Sequence, residues 1–129
     1  METGRAGVAL IGQPLNYTLT DFPMSLTRRI ALHRWDELTL EKITEMVSRK
    51  AIVGARDVLA QSYFKKGALV QQHAHPGEQL IYVLQGALRV LVDGEETTVR
   101  EGEVLQVPGG VAHQAEALDD TFVLSVTGR

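Results

Sequence analysis

The sequence predicts an all-β protein, a sandwich or barrel of short strands. From Ile52 onward, brief segments rich in Val, Leu and Ile alternate with turn signals every several residues. Those turns are marked by Lys66-Gly67, Gln85-Gly86, Asp93-Gly94, Glu101-Gly102, Pro108-Gly109-Gly110 and Asp119-Asp120. Between them no stretch is long enough for the helices of βαβ units, so a parallel α/β arrangement is excluded.

Taken in order, the chain divides near residue 50. Residues 1–30 are irregular and punctuated by Gly4, Gly7, Gly12, Pro14 and Pro23, which predicts an extended N-terminal arm or tail. Leu40, Ile43, Met46 and Val47 then fall on one face at helical spacing, with Thr39 as N-cap, and predict a short amphipathic helix. Lys42 stands where a capping box would want Glu or Gln. The predicted division is therefore 1–50 for arm and helix and 51–129 for the β-barrel, forming one domain overall. Strands are expected at 58–64, 69–75, 79–84, 88–92, 96–99, 104–107, 112–117 and 122–126. The hairpin signal is strongest at Asp93-Gly94, a pair suited to a two-residue type I′ turn. Gly86, Gly94, Gly102 and Gly110 mark turns where a positive φ costs little, and Pro108 fixes the turn before His113.

Composition narrows the function classes. The 129 residues are 44% hydrophobic and 22% charged, an ordinary globular balance that can bury a core without staples. With 13 Lys plus Arg against 16 Asp plus Glu, the net charge of −3 offers no electrostatic footprint for nucleic acid. No apolar run reaches the roughly 18 residues of a membrane span. The longest early apolar patch, Val8-Ala9-Leu10-Ile11, is too short for a secretory core. The absence of cysteine excludes disulfides, thiolate metal sites and cysteine nucleophiles. The expectation is a soluble, cytoplasmic, single-domain protein without membrane or nucleic-acid partners.

Chemistry concentrates in the histidines. His73 and His75 are two apart, so on one strand both imidazoles project from the same face, with Gln71, Gln79 and Ile81 sharing that parity. His113, with Ala115 on its face, can join them from a second strand. Imidazoles so gathered suit Zn, Cu, Fe or Ni, although such pairs also occur on exposed strands without metal. His33 reads as an ordinary surface histidine. Tyr63, Arg56 and Arg89 are candidates for reaching a substrate carboxylate, and each also serves commonly as a solvated or strand-pairing residue.

Written out, the first stretch is Gly67-x5-His73-x-His75-x3-Gln79-x6-Gly86 and the second is Gly102-x5-Pro108-x-Gly110-x2-His113. In this order, with a gap of 15 residues between Gly86 and Gly102, they resemble the paired motifs of the cupin family. The resemblance covers residues 67–117 well and the flanking strands loosely. It implies a double-stranded β-helix, a jelly-roll barrel, and a divalent transition metal (Mn, Fe, Ni or Zn) held by His73, His75, Gln79 and His113. It also implies a small-molecule substrate and a homodimer. The apolar arm segments Val8-Ala9-Leu10-Ile11 and Tyr17-Thr18-Leu19 are candidates for pairing with a second subunit's edge strand.

Departures from the family pattern refine the expectation. Gln79 replaces the usual Glu and Ala117 the usual Asn. A site of three histidines and an amide is neutral, so it leaves the full +2 charge of the ion uncompensated and favours Lewis-acid work. Glu78 competes as ligand only if a bulge turns it inward, and the alternative for Gln79 is a hydrogen bond that orients a neighbour. The Gln and the segment Ala115 to Thr121 are similar to cupins of pectin and alginate breakdown, which ketonise unsaturated uronates. Those relatives carry an acidic residue and then an aromatic where this chain has Ser125 and Thr127, with an arginine a few residues later, and this sequence ends at Arg129. The obvious general base is missing, so the catalytic residues stay unassigned. Three functions remain: a metal-dependent isomerase, ketonising enzyme or lyase; an Fe-dependent dioxygenase; and a non-catalytic small-molecule-binding module.

Overall fold

The structure, a computed structural model, describes residues 30–129. The expected arm, with Val8-Ala9-Leu10-Ile11 and Tyr17-Thr18-Leu19, lies outside the described residues. Ten strands follow one another: β1 Glu41–Lys42, β2 Val47–Val53, β3 Asp57–Phe64, β4 Leu69–His73, β5 Gln79–Gln85, β6 Ala87–Val92, β7 Glu95–Arg100, β8 Val104–Val107, β9 His113–Ala117 and β10 Thr121–Gly128. They form a six-stranded sheet in the order β1-β2-β3-β10-β5-β8 and a four-stranded sheet in the order β4-β9-β6-β7, with every pair antiparallel. This is the expected all-β jelly roll.

Strand alternation builds the interior. Along β3, Val58, Ala60, Ser62 and Phe64 are buried; along β10, Thr121, Val123, Ser125 and Thr127 are buried. Val83 of β5, Val90 of β6 and Val107 of β8 are sealed completely from solvent. Each such side chain contributes roughly 1.5–3 kcal/mol by leaving water. Valine also suits a strand because its branched β-carbon packs well on a pleated surface. The β6–β7 hairpin turns at Asp93 (φ 50°) and Gly94 (φ 83°), the two positive φ values of the predicted type I′ turn.

The predicted helix across Leu40, Ile43, Met46 and Val47 is a correction. The described residues hold only a 3-10 turn at Trp35–Glu37, and the segment beyond it folds as a small hairpin. Glu41 pairs with Arg49 and Lys42 with Ser48, while the Thr44 hydroxyl accepts from the Met46 N–H inside the turn. Val47, Ile52 and Val53 are β-branched and lose rotamer freedom in a helix. As strand β2 they extend the larger sheet, and Ile43 and Met46 still pack on the core. Strand β2 starts at Val47, ahead of the boundary expected near residue 50.

Candidate metal centre

The site lies between the two sheets, where β4 and β9 of one face β5 and β10 of the other. His73 ends β4 and stands directly opposite His113, the first residue of β9, with ring centroids 4.5 Å apart. His75 lies two residues beyond the strand, its ring 5.3 Å from that of His73 and 4.9 Å from that of His113. One ring nitrogen of each comes within 4.8 Å of the others.

The local backbone explains how they meet. The β4–β9 register slips between Val70 and His73, so Val70 and His73 both face inward although their numbers differ in parity. Gln71, expected on the histidine face, is instead exposed on the outer surface of this sheet. Pro76 has no N–H to continue the ladder, and the strand ends before it. The loop carrying His75 is then clamped. Gly110 N–H donates to the His75 carbonyl at 2.8 Å, and Gly128 N–H to that of Glu78 at 2.9 Å. A β-carbon on Gly77 would come within 2.5 Å of the Gly128 carbonyl carbon, and one on Gly109 within 2.2 Å of the Pro76 oxygen. Only glycine fits at these approaches.

Hydrogen bonds fix each ring. Nδ1 of His73 lies 2.9 Å from the Gln71 carbonyl, that of His75 3.3 Å from Gly77, and that of His113 3.1 Å from Val111. A carbonyl only accepts, so each Nδ1 carries a proton and Nε2 is the ring nitrogen left to ligate. All three Nε2 atoms are buried and lack a hydrogen-bond partner. A buried polar group left this way costs about 1–3 kcal/mol. Three acceptors facing one another are what a cation would satisfy, so the donor set fits a transition metal.

Burial, followed by the charge of His113, lowers the pKa of His73 once the raising effect of the Gln71 carbonyl is overcome. His75 is lowered further, to about 4, by burial first, with added repulsion from His113 and His73, against the raising effects of the Gly77 carbonyl and of the Gln79 side chain. Both rings are therefore neutral and able to ligate at neutral pH.

Gln79, the first residue of β5, is buried and lines the same cavity as His73 and His113. Its Nε2 donates to Thr127 Oγ1 at 3.0 Å, so the amide oxygen is not used in that bond. Glu78 is exposed, and its carboxylate accepts from the Gln106 amide. Ile81 and Ala115 line the cavity as expected. Tyr63, Arg56 and Arg89 are not brought to it. Tyr63 stacks on Phe122 at 4.6 Å on the outer face, Arg56 sits in an exposed turn, and Arg89 pairs with Glu116. Ser62 has no role in the sequence pattern beyond a hydroxyl within the alternation Val58, Ala60, Ser62, Phe64. Thr127, a departure from the family pattern, shares the inward parity of Val123 and Ser125.

The His75 shift sets a pH dependence for the metal-free chain. An unfolded histidine takes its proton near 6.5, whereas folded His75 takes it near 4. The unfolded state thus binds more protons in between, and stability falls as pH drops through that window. Urea unfolding of chelator-treated protein should show a lower midpoint at pH 4.5 than at pH 7, with a smaller decline in His75→Asn. Equal declines in both proteins would contradict this.

Known proteins agree with the fold. The cupin domain pattern matches residues 61–127, just over half of the chain. The pectin degradation protein KdgF of Dickeya dadantii is 28% identical over 91 residues, covering 69% of this chain and 83% of that protein. The solved structure of KdgF from Halomonas sp. superposes with a TM-score of 0.71 at 24% identity, over 78% of this chain and 94% of that one. An RmlC-like cupin from Shewanella frigidimarina also gives 0.71 at 24%, over 78% and 91%. With two antiparallel sheets enclosing a three-histidine cluster, and with both motifs in order, the chain belongs to the cupin family.

Proposed function

We propose that this cupin is a metal-dependent enzyme acting on a small oxygenated substrate, with a sugar acid as the favoured class, by isomerisation, ketonisation or lyase chemistry. The observation that carries the reading is the trio of buried, unpartnered Nε2 atoms on rings whose Nδ1 protons are anchored to the backbone. His73, His75, His113 and Gln79 would hold the ion, whether Mn, Fe, Ni or Zn. Bound there, a divalent ion supplies Lewis acidity to substrate oxygens, undiminished by any anionic ligand in the set. The similarity to KdgF supports the sugar-acid class.

The chain's own groups orient and enclose. Thr127 holds the Gln79 amide, and Val70, Ile81, Leu88, Val90 and Val123 give the cavity an apolar wall. Among the described residues lining it there is no Asp or Glu to serve as a base. That supports a second reading, a binding module that takes the same ligands without turnover. Neutral donors favour the +2 state, which weighs against an Fe-dependent dioxygenase.

Among the described residues no helix is long and apolar enough to cross a membrane, and a cytoplasmic setting accompanies this reading. So does a homodimer, because Leu80, Tyr82 and Val104 project together from the outer face of the larger sheet, exposed at 37%, 38% and 57%. Sedimentation velocity at micromolar concentration should give a two-chain species; a single-chain species would remove the dimer.

Elemental analysis of protein purified without a metal-affinity tag tests the metal. About one transition-metal ion per chain is expected, lost in His75→Ala and lowered in Gln79→Ala, as second-sphere and ligand losses typically cost about 10–100-fold in affinity. No metal after reconstitution with Mn, Fe, Ni and Zn would overturn the enzyme reading.

A further inference from the structure

We infer that Ser62 is a ligand-binding hydroxyl of this site, donating to one oxygen of a carboxylate whose other oxygen faces the His73–His75–His113 cluster. The inference rests on the metal reading above and assigns a residue and a ligand group to it. Ser62 is 1% exposed, and its Oγ is buried without a hydrogen-bond partner. It lines the same cavity as His73, Gln79 and His113. The rest of its strand face is Val58, Ala60 and Phe64, so an apolar side chain would be the cheaper occupant for stability alone. An unpaired hydroxyl beside a cluster of unpaired imidazoles is completed by a ligand that bridges them.

Size and charge identify the ligand group. The cavity is about 40 Å³, against roughly 10–15 Å³ for one water. It therefore admits a few non-hydrogen atoms, the size of a carboxylate head, and a larger acid must keep the remainder of its skeleton elsewhere. A divalent ion held by neutral donors favours an anion. A serine hydroxyl can donate to the anion's free oxygen, which the aliphatic wall cannot.

Formate is the probe, titrated into the full chain loaded with cobalt(II) and followed by the visible absorption of the metal. Ser62→Ala should bind formate about tenfold more weakly, the worth of one hydrogen bond to a charged group. Its cobalt content should be unchanged, and its metal-free form at least as resistant to urea as the wild type. Ser62→Thr, which keeps the hydroxyl, should retain tighter binding than Ser62→Ala. Equal formate affinity in wild type and Ser62→Ala, both fully loaded, would overturn the role of Ser62 alone, as would a loaded wild type that does not respond to formate. Failure of the wild type to take up cobalt would overturn the metal reading and this inference together.

Discussion

The fold is organised around one arrangement: three imidazoles whose Nδ1 protons are spent on backbone carbonyls two residues away, so that three Nε2 lone pairs meet in the interior. Hydrogen bonds to the backbone leave each ring little freedom to turn. The site's geometry is then backbone geometry. The bulge between Val70 and His73 aims one ring inward, β4 stops at His73 so that the second lies in the loop before Pro76, and the start of β9 supplies the third. Glycines 77, 109 and 128 let that loop be held at contact distance from its neighbours.

Such an arrangement opposes stability in the metal-free chain. Burial disfavours the charged imidazole and holds His75 well below its ordinary pKa, while neutral rings leave buried acceptors without donors. The surrounding sheets offset the cost through fully buried valines at 83, 90 and 107 and through ladders that pair β3, β10 and β5 over most of their length. The same neutrality that costs stability gives a bound cation no anionic partner.

Much of this was legible in the chain. Turn residues and hydrophobic alternation placed the eight strands from β3 to β10 to within two residues at each end, because one buried face fixes strand parity. The motif spacing placed His73, His75, Gln79 and His113 together. What the sequence concealed depended on tertiary context. The helical spacing at Leu40, Ile43, Met46 and Val47 is genuine, but an available sheet edge made a hairpin the better use of β-branched residues. The inward parity assigned to Gln71 failed because a bulge is a property of the β4–β9 pair. The roles of Ser62 and Thr127 required knowing which strands face one another, and the Gly77–Gly128 contact joins residues 51 apart in the chain.

The most direct measurement is a crystal structure of the metal-loaded protein with anomalous scattering collected at the edge of the bound ion. A single anomalous peak about 2.0–2.2 Å from Nε2 of all three histidines is expected, with each Nδ1 still bonded to Gln71, Gly77 or Val111. The Gln79 oxygen should complete the protein ligands. A peak bound through Nδ1, or one that engages fewer than three of these rings, would contradict the arrangement on which the function proposed for this cupin depends.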